Sequence, residues 1–280
     1  MRRFAIALAL LALAPAVRAD RMAPVARPVD RALRVPVVVV GKVTAVEKET
    51  VDAAYYKGGP KVAHKVAVVK VESNLIGAEN TTHVKIGFVP PAPNLRRGPD
   101  NPELKVGDEW LFFLVKSPGG AEFYAMTYMT PPLPAAADKF KEQVAEVKAV
   151  LALVADPAKA LKAEKPEARH AAAVAILTKY RTPTEGVSHD QFEQVPIPVD
   201  ESRALLKALT EGKWTPRVAG DEGAHAYGAF ARLGLTEADG WKYPKAEAGK
   251  DFTEQTREAL VKWLDGPGKD YRVKKFVEKK

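Results

Sequence analysis

The sequence predicts an α+β chain of two domains, a five-stranded antiparallel β-barrel followed by an all-helical region. Three observations predict it. Up to about residue 130, apolar residues alternate with polar ones or run as solid β-branched blocks. From Pro131 onward the apolar residues recur at helical spacing. Between the two, "TPPLPAAAD" is a short Pro/Ala connector, which sets the boundary near Pro134 and the domains at 35 to 130 and 135 to 280. With 280 residues, 46% of them hydrophobic, the chain can fill two ordinary cores.

Five segments carry the strand signal: "VPVVVVGKVTAV" (35 to 46), "KVAHKVAVVKVES" (61 to 73), "HVKIGFV" (83 to 89), "EWLFFLVK" (109 to 116) and "EFYAMTY" (122 to 128). Ser117-Pro118-Gly119-Gly120 joins the last two, and its glycines accept the positive φ of a hairpin turn, so this pair is expected antiparallel. In "LKVGDEWLFFLV", Trp110, Phe112 and Leu114 alternate with Leu111, Phe113 and Val115, so both faces are apolar. A strand covered by the barrel on one side and by the helices on the other has this pattern, which favours packing over a ligand groove.

In the second half Phe140, Val144, Val147, Leu151 and Val154 share one stripe of a helix that must end before Asp156-Pro157. Further helices are expected at 157 to 163, 166 to 180, 201 to 211, 222 to 233 and 252 to 264. Pro157 and Pro166 suit first-turn positions, Asp200 and Asp221 suit N-caps, and Gly212 and Gly234 suit C-terminal closure.

"MRRFAIALALLALAPAVRAD" carries two arginines, an apolar run too short to span a bilayer, Pro15 and a small-x-Ala site, the marks of a secretory signal peptide cleaved after Ala19. Residues 20 to 34 then form an exposed, proline-interrupted extended lead. The expected location is periplasmic or extracellular. Cysteine is absent, which excludes disulfides, thiol catalysis and cysteine metal sites and suits a bacterial envelope better than an animal extracellular space. Asn80-Thr81-Thr82 is a glycosylation sequon only in a eukaryotic secretory route. Loss of Arg2, Arg3 and Arg18 with the leader lowers the formal charge of +8 by three. Much of the remainder lies in the tail from Lys269 to Lys280, where Lys274, Lys275, Lys279 and Lys280 could meet an anionic surface; a solvated end is the simpler expectation.

Strands of this number with a long insert before the fourth suggest a Greek-key barrel of the OB type. "VVVVGKVTAV", "VAVVKVESNLIG" and "LKVGDEWLFFL" resemble the netrin-like module shared with tissue inhibitors of metalloproteinases, over roughly residues 35 to 128. In that module the first strand ends near the Gly-Lys-Val. The inhibitors chelate their target's zinc through an N-terminal cysteine, and this chain has none. "AEKPEARHAAAVAILTKY", "DEGAHAYGAFARLGL" and "TREALVKWL" resemble helices of degenerate HEAT-like repeats, arrays that bind other macromolecules on one face.

The five histidines, His64, His83, His170, His189 and His225, form no H-E-x-x-H or other local ligand pattern, so no metal or cofactor is expected, although His64 and His83 fall on neighbouring strands. "SHD" at 188 to 190 cannot act as a triad in a line, and no Gly-x-Ser-x-Gly elbow or phosphate loop exists. Catalytic residues are therefore not expected. Two loops stand out as candidate partner-binding elements: "ETVDAAYYKGGPK" (49 to 61) with Tyr55 and Tyr56, and "PPAPNLRRGPDNP" (90 to 102) with Arg96 and Arg97. Such pairs can stack on and clamp a peptide, sugar or nucleotide; equally, the tyrosines can close the barrel end while the arginines meet carboxylates of the helices. Export argues against nucleic acid. The expected function is a non-enzymatic binding or scaffolding protein of the cell envelope, with a protein or glycan partner. A netrin-like protease inhibitor and an envelope hydrolase without a local signature are the alternatives.

Overall fold

The structure, a computed structural model, describes residues 26–54, 58–90, 101–214 and 225–279. It is mixed α+β. Six strands make the main sheet: β1 (Val37–Ala54), β2 (Lys61–Ile76), β3 (His83–Phe88), β4 (Glu109–Lys116), β5 (Tyr124–Ala125) and β6 (Leu133–Pro134). They pair in a ring, β1 to β2 to β3 to β5 to β4 and back to β1, with β6 added beside β4. The neighbours are antiparallel except β3 and β5, which run parallel through Ile86 opposite Tyr124 and Gly87 opposite Ala125. The expected antiparallel pairing of β4 with β5 is present.

The sheet departs from five short strands. Strand β1 does not end at Gly41-Lys42-Val43 but runs on to Ala54, so Glu49 to Ala54, expected in a loop, belong to a strand. Their charged side chains stand on an exposed ribbon, where polar residues carry no burial cost and blunt a free edge. Four register shifts between β1 and β2 let this long hairpin coil, because each bulge adds local twist. At Gly41 the two strands come so close that a Cβ would lie 2.9 Å from the Lys70 carbonyl oxygen.

Strand β4 is buried on both faces. Phe112 and Leu114 point into the ring core with Val37, Val39, Val69, Ile86 and Phe88. Leu111, Phe113 and Val115 face the other way, against Val147 and Leu151 of helix α2 (Phe140–Ala155) and Ala32 of helix α1 (Pro28–Ala32). The expected two-sided burial of this strand is thus met by a specific helix.

Helix α1 corrects the exposed lead. Asp30 and Arg31 are only 4% and 7% exposed, and Ala32, Leu33 and Val35 are fully buried. The buried guanidinium is compensated: Nε donates to the Ala26 carbonyl at 2.6 Å, Nη1 donates to the Pro131 carbonyl at 2.7 Å, and the group lies 5.6 Å from the Phe113 ring centroid.

Beyond the sheet follow α3 (Pro157–Ala160), α4 (Pro166–Tyr180), α5 (Val199–Thr210), α6 (Ala226–Ala231) and α7 (Phe252–Leu264). Pro157 and Pro166 open their helices as expected. Asp200 does not cap; it lies within the first turn of α5 behind Pro198, and Asp221 lies outside the described residues. The second half is not all helical. Strands β7 (Phe192–Pro196) and β8 (Lys274–Glu278) form an antiparallel pair, so the basic tail is largely a paired strand rather than a solvated end. Phe192 and Phe276 meet edge to face across it, and Arg181 sits over the Phe276 ring. The helical core joins Trp214, Phe230, Trp241 and Trp263 to the small residues Ala172 and Ala173 of α4.

Candidate functional site

Tyr55, Tyr56, Arg96 and Arg97 lie outside the described residues, but the bases of both their loops are described. Ala54, which precedes the tyrosines, and Asn101, which closes the arginine segment, line one pocket of about 200 Å³ at one end of the ring. Asn101 is held by mimicking a strand partner: its Oδ1 accepts from Val89 N–H at 2.8 Å and its Nδ2 donates to the Val89 carbonyl at 3.2 Å. Ala54 is held by β1 and by the β4–β5 turn, where a Cβ on Gly119 would come 2.8 Å from the Ala54 nitrogen.

Phe123 and His64 pack in the wall of this pocket. The Phe123 ring covers Gly87, where any Cβ would overlap it, and lies 5.4 Å from the His64 ring. His64 is 5% exposed, and its Nδ1–H donates to the Val62 carbonyl at 2.8 Å. On the rim, the turn closed by Thr127 and Thr130, whose hydroxyls lie 2.7 Å apart, presents Tyr128 at 52% and Met129 at 44% exposure. Exposed aromatic and thioether groups over a buried floor suit adaptable contact with a partner. His64 and His83 do not come together: His64 stands opposite Val51 and His83 opposite Lys70. Ser188, His189 and Asp190 sit at a 3₁₀ turn, where Ser188 and Gln191 form a capping box.

A second and larger concavity, of about 610 Å³, opens among α1, α2, α4 and the start of α6. Nine of its fifteen described lining residues are aliphatic or alanine, including Val29, Leu33, Val150 and Val174. Arg27, Asp30, Glu146, His170, Lys213 and His225 supply the polar part. Arg27 Nε pairs with the Asp30 carboxylate at 3.1 Å. His225 Nδ1 accepts from Gly228 N–H at 3.1 Å, which leaves the ring proton of the neutral imidazole on Nε2. His170 Nδ1 lies 2.9 Å from the Leu209 carbonyl and 3.2 Å from Gly212 N. One neutral tautomer cannot serve both; the shorter contact, to a group that can only accept, places the proton on Nδ1.

The sequence reading missed this cleft. Its one trace was the run of alanines in "RHAAAVAIL", whose small side chains leave space beside α4 where larger ones would fill it. Among the described residues no group of three or more His, Asp or Glu side chains could hold a metal ion, and no helix is long and apolar enough to cross a membrane. No protein-family model matches the chain, and no curated protein matches its sequence, so these two sites rest on their own geometry.

Proposed function

We propose that this chain is an exported, non-enzymatic binding or scaffolding protein of the cell envelope that engages a protein partner through the loop end of its sheet. The observation that carries the reading is the convergence of Ala54 and Asn101 on one pocket, which roots the Tyr55-Tyr56 and Arg96-Arg97 segments at the same end of the ring beside exposed Tyr128 and Met129. Loops rooted together on a paired scaffold can act on one partner at once. The ring order of the strands supports an OB-type barrel, and with it the netrin-like resemblance. The helices after Pro157 support a degenerate HEAT-like array, modified by the β7–β8 pair.

Capture from envelope extract tests the proposal with the chain from residue 20 onward, beside Tyr55→Ala/Tyr56→Ala, Arg96→Ala/Arg97→Ala and Tyr128→Ala/Met129→Ala. The whole chain is needed because cutting near Pro134 would expose the Leu111, Phe113 and Val115 face to water. A partner retained by the parent and lost in at least two of the three variants supports the reading. Retention unchanged in all three removes it.

A further inference from the structure

We infer that the pocket at the loop end takes one neutral aromatic side chain, a phenylalanine carried on an exposed segment of the partner. This rests on the loop-end reading above and adds the chemistry of what is bound. The pocket holds about 200 Å³, below the roughly 300 Å³ at which ordinary ligand sites begin, whereas an apolar cavity of about 150 Å³ already accepts benzene. Its size suits one ring rather than a whole ligand.

The walls favour an aromatic group. Phe88, Phe123 and Met126 are 3%, 7% and 9% exposed, and Tyr128 joins them at the rim. Rings and a thioether offer a guest ring edge-to-face and sulfur contacts that an aliphatic group lacks. None of the twelve described lining residues is Asp, Glu, Lys or Arg, so an ionic group entering here loses water without gaining a counter-charge. Most polar side chains of the lining are engaged: His64 bonds to Val62, Asn101 to Val89 and Thr127 to Thr130. Ser117 differs. It is 8% exposed, its N–H donates to the Phe123 carbonyl and its carbonyl accepts from Gly120 N–H, but its hydroxyl makes no hydrogen bond among the described residues. A main-chain amide beside the incoming ring can meet that hydroxyl, which favours a peptide over a bare hydrocarbon.

The test uses the chain from residue 20 onward, at mildly alkaline pH, and three probes that share one ring: N-benzylacetamide, which joins it to a neutral amide, benzylammonium and phenylacetate. Methyl-labelled methionine gives the readout in NMR titration, because a ring bound in the pocket shifts the Met126 methyl signal, which Met126→Leu identifies. N-benzylacetamide is expected to move that signal to saturation, binding roughly tenfold or more tighter than either ion. Ala54→Phe, at a half-buried position on the pocket wall, fills the space with the chain's own ring and abolishes the shift. Ser117→Ala weakens N-benzylacetamide about threefold or more. No Met126 shift with N-benzylacetamide, either ion binding as tightly as it does, or a shift undiminished in both variants overturns the inference. The charge preference is read in the parent chain, so it decides the matter even where Ala54→Phe does not fold. These probes report on the pocket whether or not a partner is captured: a failed capture removes the partner reading, and a failed titration removes the aromatic anchor alone.

Discussion

Arg31 Nη1 donates to the carbonyl of Pro131 at 2.7 Å, joining the segment before the first strand to the segment that leaves the sheet for the helices. Because the guanidinium also holds the Ala26 carbonyl and covers Phe113, α1 acts as a tie across the junction between sheet and α2.

Replacing this tie is expected to be costly. Arg31→Met keeps much of the side-chain volume but leaves the buried Pro131 carbonyl without a donor, at a cost of about 2–3 kcal/mol. Urea denaturation should show a lower midpoint at unchanged slope. A midpoint equal to the parent's would mean that water replaces the guanidinium.

The two faces of β4 should be equally intolerant. Phe112→Ala empties space in the ring core and Phe113→Ala empties space against α2, each costing about 3–5 kcal/mol. Thermal melts of the two variants compare the sides directly. A Phe113→Ala variant as stable as the parent would show that α2 does not cover this face in solution.

Deleting residues 274–280 tests the paired tail. The deletion removes β8, uncovers Phe192 and frees Arg181 from its bond to the Lys274 carbonyl at 3.0 Å, so a loss of roughly 1–3 kcal/mol is expected. Hydrogen exchange in 192–196 should quicken in the shortened chain. No change in exchange or melting would return the tail to the status of a solvated end.

Alkaline titration should reveal buried phenols. Burial, followed by the nearby Glu201 charge and the 3.1 Å hydrogen bond to its carboxylate, pushes Tyr180 up to about 12, and burial raises Tyr271 and Tyr243 as well. The unfolded chain releases these protons near 10 while the folded chain keeps them, so stability is intact below pH 10 and falls as pH rises toward 12. Ultraviolet difference absorbance follows the ionisation, and in Tyr180→Phe the high-pH component should shrink.

Much of the fold was legible because short-range patterns report burial. The stripe of Phe140, Val147 and Leu151 gave α2 almost residue for residue, and Pro166 to Tyr180 gave α4. The double apolar face of "EWLFFLV" announced a strand covered twice. The extension of β1 through "EKETVDA" was not legible, since an exposed ribbon needs no alternation of apolar residues. Nor was β8: "KKFVEKK" has the composition of a solvated tail, and only its meeting with β7 supplies the hydrogen-bond partners that make it a strand.

By itself, the sequence determined the mixed α+β class, most helix positions and the apolar core, because propensity and periodicity act between neighbours in the chain. Tertiary structure alone decided the ring order of the strands, the burial of Arg31, the shared root of Ala54 and Asn101, and the cleft beside α4. Each of these depends on groups distant in sequence, brought together by the burial of apolar faces such as the two sides of β4 and by the pairing of buried polar groups such as the Arg31 guanidinium.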